Sequence, residues 1–450
     1  MEQRIGAPFY RKFFRIFIVL VLQNIVTLSV NLADNMMLGA YNEAALSGVA
    51  AVNQIQFVYQ QLLMAFGDGL VIICSQYWGR RQTEPMKKIA SIAMWAGLGL
   101  AVLLFALVSF FPHQAVGIFT TDGPIIAQGV EYLAIIRFTY LFFAVTQILL
   151  ATLRSVQIVK IGFYLSVMTL LVNCSINYVL IYGNFGAPEM GAAGAAIGTL
   201  VARILETAVV VLYVLRHNEQ LRLKLQDYFH FDKVLGRDYF KTTLPLLIGS
   251  GLWGLNTAMQ TVILGHMTAA AIAANSVASN IFLMVKSMAV GASATATIII
   301  GNAIGEGNID LVKRYAKVMQ KLFLGIGVFS GILLYLIRVP ILSFYELSPE
   351  TMEMANNFLL ILSVVVVGMS YQMPTNGGII RGGGDTAFVV KMDLISIWGI
   401  VIPLSLIMAF VVQAPPIVVV WCLNADQLFK CIPAYIKCNH GHWIKKLTRD

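Results

Sequence analysis

The sequence predicts an all-α membrane protein of twelve transmembrane helices arranged as two pseudo-symmetric halves of six. Three observations lead there. Hydrophobic residues make up 58 % of the 450 positions and charged ones 12 %, with a mean hydropathy of +0.77, whereas soluble domains carry about 25 % charged residues. About twelve apolar runs are long enough to cross a bilayer, which takes roughly 20 helical residues; transmembrane strands would be about half that length and would alternate in polarity. The chain also repeats itself.

Shifting the sequence by 226 positions lays LGAYNEAALSGVAAVNQIQ, from Leu38, over LGHMTAAAIAANSVASNIF, from Leu264, without a gap. The same offset carries Gly79 onto Gly305 and the basic pair Lys87 and Lys88 onto Lys313 and Arg314. An offset of 227 sets LRSVQIVK, at Leu153, against IRGGGDTAFVVK, at Ile380. Six helices per half give both halves the same orientation, related by an axis along the membrane normal and facing each other across a cleft. The expected organisation is a first half over 1–215, a cytoplasmic linker over 216–243, a second half over 244–436 and a cytoplasmic tail over 437–450.

Most of the 31 Lys and Arg residues fall at the N-terminus, in the tail and in loops after even-numbered spans. By the positive-inside rule this puts both termini in the cytoplasm, and the net charge of +9 reflects topology, with no nucleic-acid partner implied. The first apolar run is too long for a signal-peptide core and is expected to be retained as a span of the plasma membrane. The five cysteines are scattered, which argues against a disulfide framework. Cys438, His440 and His442 match no standard zinc spacing and read as a polar tail.

In chain order, the first span carries Asp34 inside VNLADNMMLG, and a carboxylate at membrane depth costs roughly 2.5 to 3.5 kcal/mol, so a partner or a task is expected. The second span places Asp68 between Gly67 and Gly69. It reads equally as a buried acid at a close helix approach and as an acid reaching the cytoplasmic headgroups. In the fourth span Glu131 sits near the outer mouth, and the deeper Arg137 needs a partner on another helix or a wet cavity. The fifth span has Asn173 and Asn177 at i and i+4 on one face, offering oxygens to a hard cation or hydrogen bonds to a neighbouring helix. The sixth opens with GAAGAAIGTL, whose small residues allow close packing and bring Thr199 within reach of those amides; Arg203 and Glu206, at i and i+3, read as a local ion pair.

In the second half the position equivalent to Asp34 is Gln260, so the acid belongs to one half only. The eighth span carries Lys286 near its middle, where an ammonium cannot snorkel; an ion pair and a contact to an anionic substrate are both open. Pro374 with Gly377 and Gly378 predicts a bend in the tenth span.

With this duplication, the lone first-span acid, LRSVQIVK and IIRGGGDT, NYVLIYGNFGAPEMGAAGAAIGT at the fifth-to-sixth junction and GNAIGEGN after the eighth span, the chain resembles the multidrug and toxic compound extrusion (MATE) family over essentially its whole length. The resemblance implies two six-helix lobes and a secondary antiporter exporting amphipathic organic compounds against Na⁺ or H⁺, as a monomer with no other cofactor. It also implies a cation or proton site of Asp34, Asn173, Asn177 and Thr199, with Asn177 an amide where the family often has a carboxylate. No acid occupies the seventh or tenth span, which points to the DinF-like branch. Asp68, Gln260, Lys286 and Arg137 are the candidates for the substrate cavity. The rival within the superfamily is a flippase of lipid-linked oligosaccharides, which would use Arg137, Arg203 and Lys286 to hold a pyrophosphate. No HExxH, paired-carboxylate or nucleophile motif supports an enzyme.

Overall fold

The structure, a computed structural model, describes residues 6–120, 122–217, 220–345 and 347–449. The first five residues of the basic N-terminal stretch and the last residue of the tail lie outside them. Among the described residues all regular structure is helical. Ten helices and one bent pair are long and apolar enough to cross a membrane. The remaining predicted span, the seventh over 244–266, coincides to within one residue with the C-terminal part of Lys233–Gly265, a 33-residue helix whose first turns carry Lys233, Arg237, Asp238 and Lys241.

The fourth span differs from the unbroken run the sequence predicts. It is two helices, Gly123–Ile136 and Thr139–Ser155, bent by 53°. No Pro or Gly marks the break. The Thr139 hydroxyl donates to the Ile136 carbonyl at 2.6 Å, and Phe138 and Tyr140 turn back to carbonyls three residues earlier, so a side chain competes with the helical ladder there. The tenth span, by contrast, absorbs its Pro and Gly pair without breaking. Pro349–Met373 continues as a π-helical stretch, Pro374–Ile380, and the Thr297 hydroxyl faces the Gly377 and Gly378 carbonyls at 3.4 Å each.

The chain forms two compact units that interleave in sequence. One is Leu22–Cys74 with Arg81–Thr243; the other is Met1–Val21, Ser75–Arg80 and Leu244–Asp450. In the first of these, the segment expected as a linker is tied down. Its short turn Leu225–Phe229 presents the Tyr228 carbonyl to the Ser91 hydroxyl at 2.7 Å and the Trp95 indole N–H at 2.8 Å.

In the other unit, the end of helix Glu43–Gly79 crosses the end of helix Ala269–Gly305 at positions the repeat makes equivalent. A Cβ on Gly79 would lie 2.8 Å from the Gly305 Cα, and one on Gly305 would lie 2.9 Å from the Gly79 Cα. Ser75 and Gly301 meet one turn earlier. Two small-xxx-small motifs therefore pack on each other, which permits backbone approach that any larger side chain would block. The tail docks beside this crossing. Trp443 is 2 % exposed and its indole N–H donates to the Cys438 carbonyl at 2.7 Å. The Gln76 amide donates to the Lys445 carbonyl and accepts from the Leu447 N–H, at 3.1 and 2.9 Å. Lys437 and Lys445 both reach Asp385, at 2.9 and 2.8 Å. Burial alone would raise the Asp385 carboxyl, but the two ammonium groups hold it below the usual carboxylate range. The tail, expected only as a polar segment, is a docked strap.

Candidate functional site

Asp34 lies about seven residues from the end of helix Ala7–Tyr41, whose C-terminal end is anchored by the Tyr182 hydroxyl donating to the Met37 carbonyl at 2.7 Å. On helix Lys160–Leu180, Asn173 and Asn177 are fully buried on one face. The Asn177 amide donates to the Asp34 carboxylate at 2.6 Å and to the Asn173 oxygen at 3.2 Å; the Asn173 amide donates to the Thr199 hydroxyl at 3.1 Å. The four residues taken from the sequence thus form one continuous chain of hydrogen bonds within a single unit. Gly198, one residue before Thr199, makes the space for it, since a Cβ there would collide with the Asn177 oxygen.

Two features define what this cluster can bind. No cation lies within 4.0 Å of Asp34 among the described residues, and the buried Asn177 carbonyl oxygen has no hydrogen-bond partner. A carboxylate beside an unpaired amide oxygen lacks a donor or a cation. A proton on Asp34 or a small hard cation supplies what is missing. One step along helix Gly191–His217, Arg203 binds Glu206 at 2.6 Å and stacks over the Phe143 ring at 4.8 Å. Its field reaches Asp34, but its hydrogen-bonding group is engaged with Glu206.

The other residues singled out from the sequence are placed separately. Asp68 is half-buried and partnered, and a Cβ on the adjacent Gly67 would touch the Ala151 side chain at 3.2 Å, so the glycine serves a close helix approach. Arg137 sits at the break of the fourth span with its guanidinium 5.3 and 5.6 Å from the Phe138 and Phe105 rings. Arg203 is paired with Glu206, whereas the buried Arg137 Nε has no hydrogen-bond partner among the described residues. In the other unit, Gln260 is half-buried, and the Lys286 ammonium lies 5.0 Å from the Trp253 ring.

Sequence reasoning missed a third cluster, in that same unit. Lys430, 2 % exposed, binds Asp393 at 2.7 Å and Asp426 at 2.8 Å. Gln427 donates to Asp426 at 2.8 Å and accepts from Gln372 at 2.7 Å, and Gln372 accepts from Asn376 at 3.2 Å. Asp426 and Lys430 are at i and i+4, a spacing that could have flagged them; Asp393, 37 positions earlier, could not be joined to them from spacing.

A family model described as MatE matches residues 20–179 and 245–407. The probable multidrug resistance protein NorM of Streptococcus pneumoniae is 25 % identical over 397 residues, covering 87 % of this chain and 86 % of that protein. The protein of the same name from Thermotoga maritima is 24 % identical, covering 95 % and 92 %. The solved structure of the eukaryotic MATE transporter AtDTX14 superposes with a TM-score of 0.85 at 16 % identity, covering 97 % of each chain, and shares the two-lobe, twelve-helix fold. The family model covers both halves of the internal repeat, Asp34 and the two buried asparagines included, and the chain therefore belongs to the MatE family of membrane transporters.

Proposed function

We propose that this protein is a plasma-membrane antiporter that exports amphipathic organic compounds in exchange for Na⁺ or H⁺, with Asp34, Asn173, Asn177 and Thr199 as the coupling site. The observation that carries this reading is that, among the described residues, the Asn177 oxygen is unpaired beside a carboxylate with no cation within 4.0 Å. Protonating Asp34 turns it from acceptor to donor and gives the Asn177 oxygen a partner; a bound Na⁺ would take the same oxygens. Either event removes the cost of the lone charge and favours a different packing of the helices that hold it, which is what alternating access needs. A single carboxylate in the site favours proton coupling over Na⁺, since hard cations gain affinity with ligand charge.

The same reading takes the chain as a monomer with both termini cytoplasmic, functional halves over 1–215 and 244–436, and the linker and tail on the cytoplasmic side. The absence of acids from the seventh and tenth predicted spans supports the DinF-like branch, while the relatives named above carry the name NorM. The test is dye efflux from reconstituted vesicles under imposed Na⁺ and proton gradients, applied one at a time. Wild type should follow one gradient, and Asp34→Asn should lose the coupled flux. Continued ion-coupled export by Asp34→Asn would remove Asp34 from the mechanism.

A further inference from the structure

We infer that the second half of the chain holds an anion-recognition site built on Lys286, which takes amphipathic substrates carrying a carboxylate, sulfonate or phosphate on an aromatic or apolar body. The inference rests on the exporter reading for its place in transport, but the binding it predicts stands alone.

Lys286 is the eighteenth residue of the 37-residue helix Ala269–Gly305, so its ammonium lies too far from either end to reach water along the helix. Its row on that helix points inward: Phe282, Ala289 and Ser293, at i−4, i+3 and i+7, are 8 %, 0 % and 6 % exposed. No carboxylate lies within 4.0 Å of it among the described residues. The acid whose field reaches it is Asp426, and that acid is already bonded to Lys430 and Gln427, both at 2.8 Å. Two lysines and two aspartates share this interior, and one lysine holds both aspartates. Lys286 bonds to neither aspartate and is the cation without a direct carboxylate contact among the described residues.

What it does meet is the face of Trp253, 5.0 Å away. A cation over an indole ring is stabilised by the ring's negative face, which keeps the charge without neutralising it. On the Trp253 helix, Asn256 and Gln260 follow at i+3 and i+7 and so share its face. Asn256 is 8 % exposed and its amide oxygen has no hydrogen-bond partner among the described residues. A buried acceptor without a donor and a part-buried ammonium without a carboxylate contact describe a ligand with an anionic group and a hydrogen-bond donor. The indole supplies the surface for its aromatic body.

The experiment is equilibrium binding of two xanthene dyes to the full-length protein in micelles: fluorescein, an anion, and rhodamine 6G, a cation on the same ring skeleton. Wild type should bind fluorescein, Lys286→Arg should retain it within about threefold, and Lys286→Gln should weaken it about tenfold or more while strengthening rhodamine 6G. Failure of wild type to bind fluorescein overturns the inference without any variant. So does parallel loss of both dyes, or unchanged fluorescein binding, in Lys286→Gln. Displacement of fluorescein by phosphatidylglycerol but not by phosphatidylcholine would identify a lipid headgroup as the anion; no displacement by either would identify a soluble amphipath, and both support the site. Because no gradient is applied, loss of ion coupling in Asp34→Asn leaves this result untouched.

Discussion

Asp34 and Asp426 are both acids inside a membrane-embedded unit, and they are held in different ways. Asp34 accepts one hydrogen bond from a neutral amide at 2.6 Å and has no cation within 4.0 Å among the described residues. Asp426 accepts from an ammonium and an amide, both at 2.8 Å, and the ammonium also bridges to Asp393. The second arrangement is closed: every member is bonded, with the Lys430 ammonium shared between two aspartates. The first is open, since no cation meets its carboxylate and its nearest amide oxygen is unpaired among the described residues. A site that must gain and lose a proton or ion has to be of the open kind, whereas a fully bonded triad resists exchange and fixes helix positions.

The largest effect expected from this difference is on stability. Lys430→Met should cost about 3 kcal/mol, because it leaves the buried Asp426 carboxylate without its cation, whereas the Asp393 side chain, 37 % exposed, keeps part of its solvation. Asp34→Asn keeps an acceptor for Asn177 and should change stability by about 1 kcal/mol or less. Thermal unfolding of the two variants in the same detergent compares them directly. A Lys430→Met protein as stable as wild type would mean that the triad is itself exchangeable, and the contrast between the units would be lost.

A smaller effect sharpens the open site. Asn177→Asp places a second carboxylate against Asp34 and should raise Na⁺ affinity by about tenfold, or about 1.4 kcal/mol, because ligand charge sets affinity for a hard cation. Protection against unfolding as a function of Na⁺ concentration measures it. Unchanged Na⁺ dependence would show that the residue 177 oxygen does not face the bound ion.

The open site was legible in the sequence and the closed one was not, for a physical reason. Asp34 is a lone acid in a long apolar run, and Asn173 and Asn177 share a face by helical periodicity, so local rules identify all three. The small residues that open the sixth span bring Thr199 within reach of those amides, and the resemblance to the family then joins the four as one site. Lys430 and Asp393 become a pair only when the last two spans pack together, and no local rule joins residues 37 positions apart. The break at Arg137 was hidden similarly. It depends on the Thr139 hydroxyl taking a helical carbonyl, in a run with no Pro or Gly to announce it. Gly79 and Gly305 were aligned by the repeat, but alignment says only that two positions are equivalent, not that they touch.

The smallest effect concerns a third acid, outside the spans, that is closed like Asp426 yet near water. Asp385 is held by Lys437 and Lys445, and Lys445 is half exposed, so solvent limits the pair to about 1 kcal/mol or less. Its folded-state value is lowered beneath the ordinary 3.8. The stabilisation is therefore fully present above that ordinary value and is lost as pH falls through the lowered one. Strap docking should be constant from about pH 5 to 7 and weaken only below about pH 4. The amides of Lys445 and Leu447, which donate to the Gly383 carbonyl and the Gln76 side chain, report docking through their hydrogen-exchange protection relative to free peptide. Asp385→Asn should lower that protection about fivefold at pH 7 and abolish its change below pH 4. Equal protection in wild type and variant at both pH values would mean that Trp443 and the Gln76 hydrogen bonds hold the strap alone, leaving Asp385 a closed acid without a mechanical role.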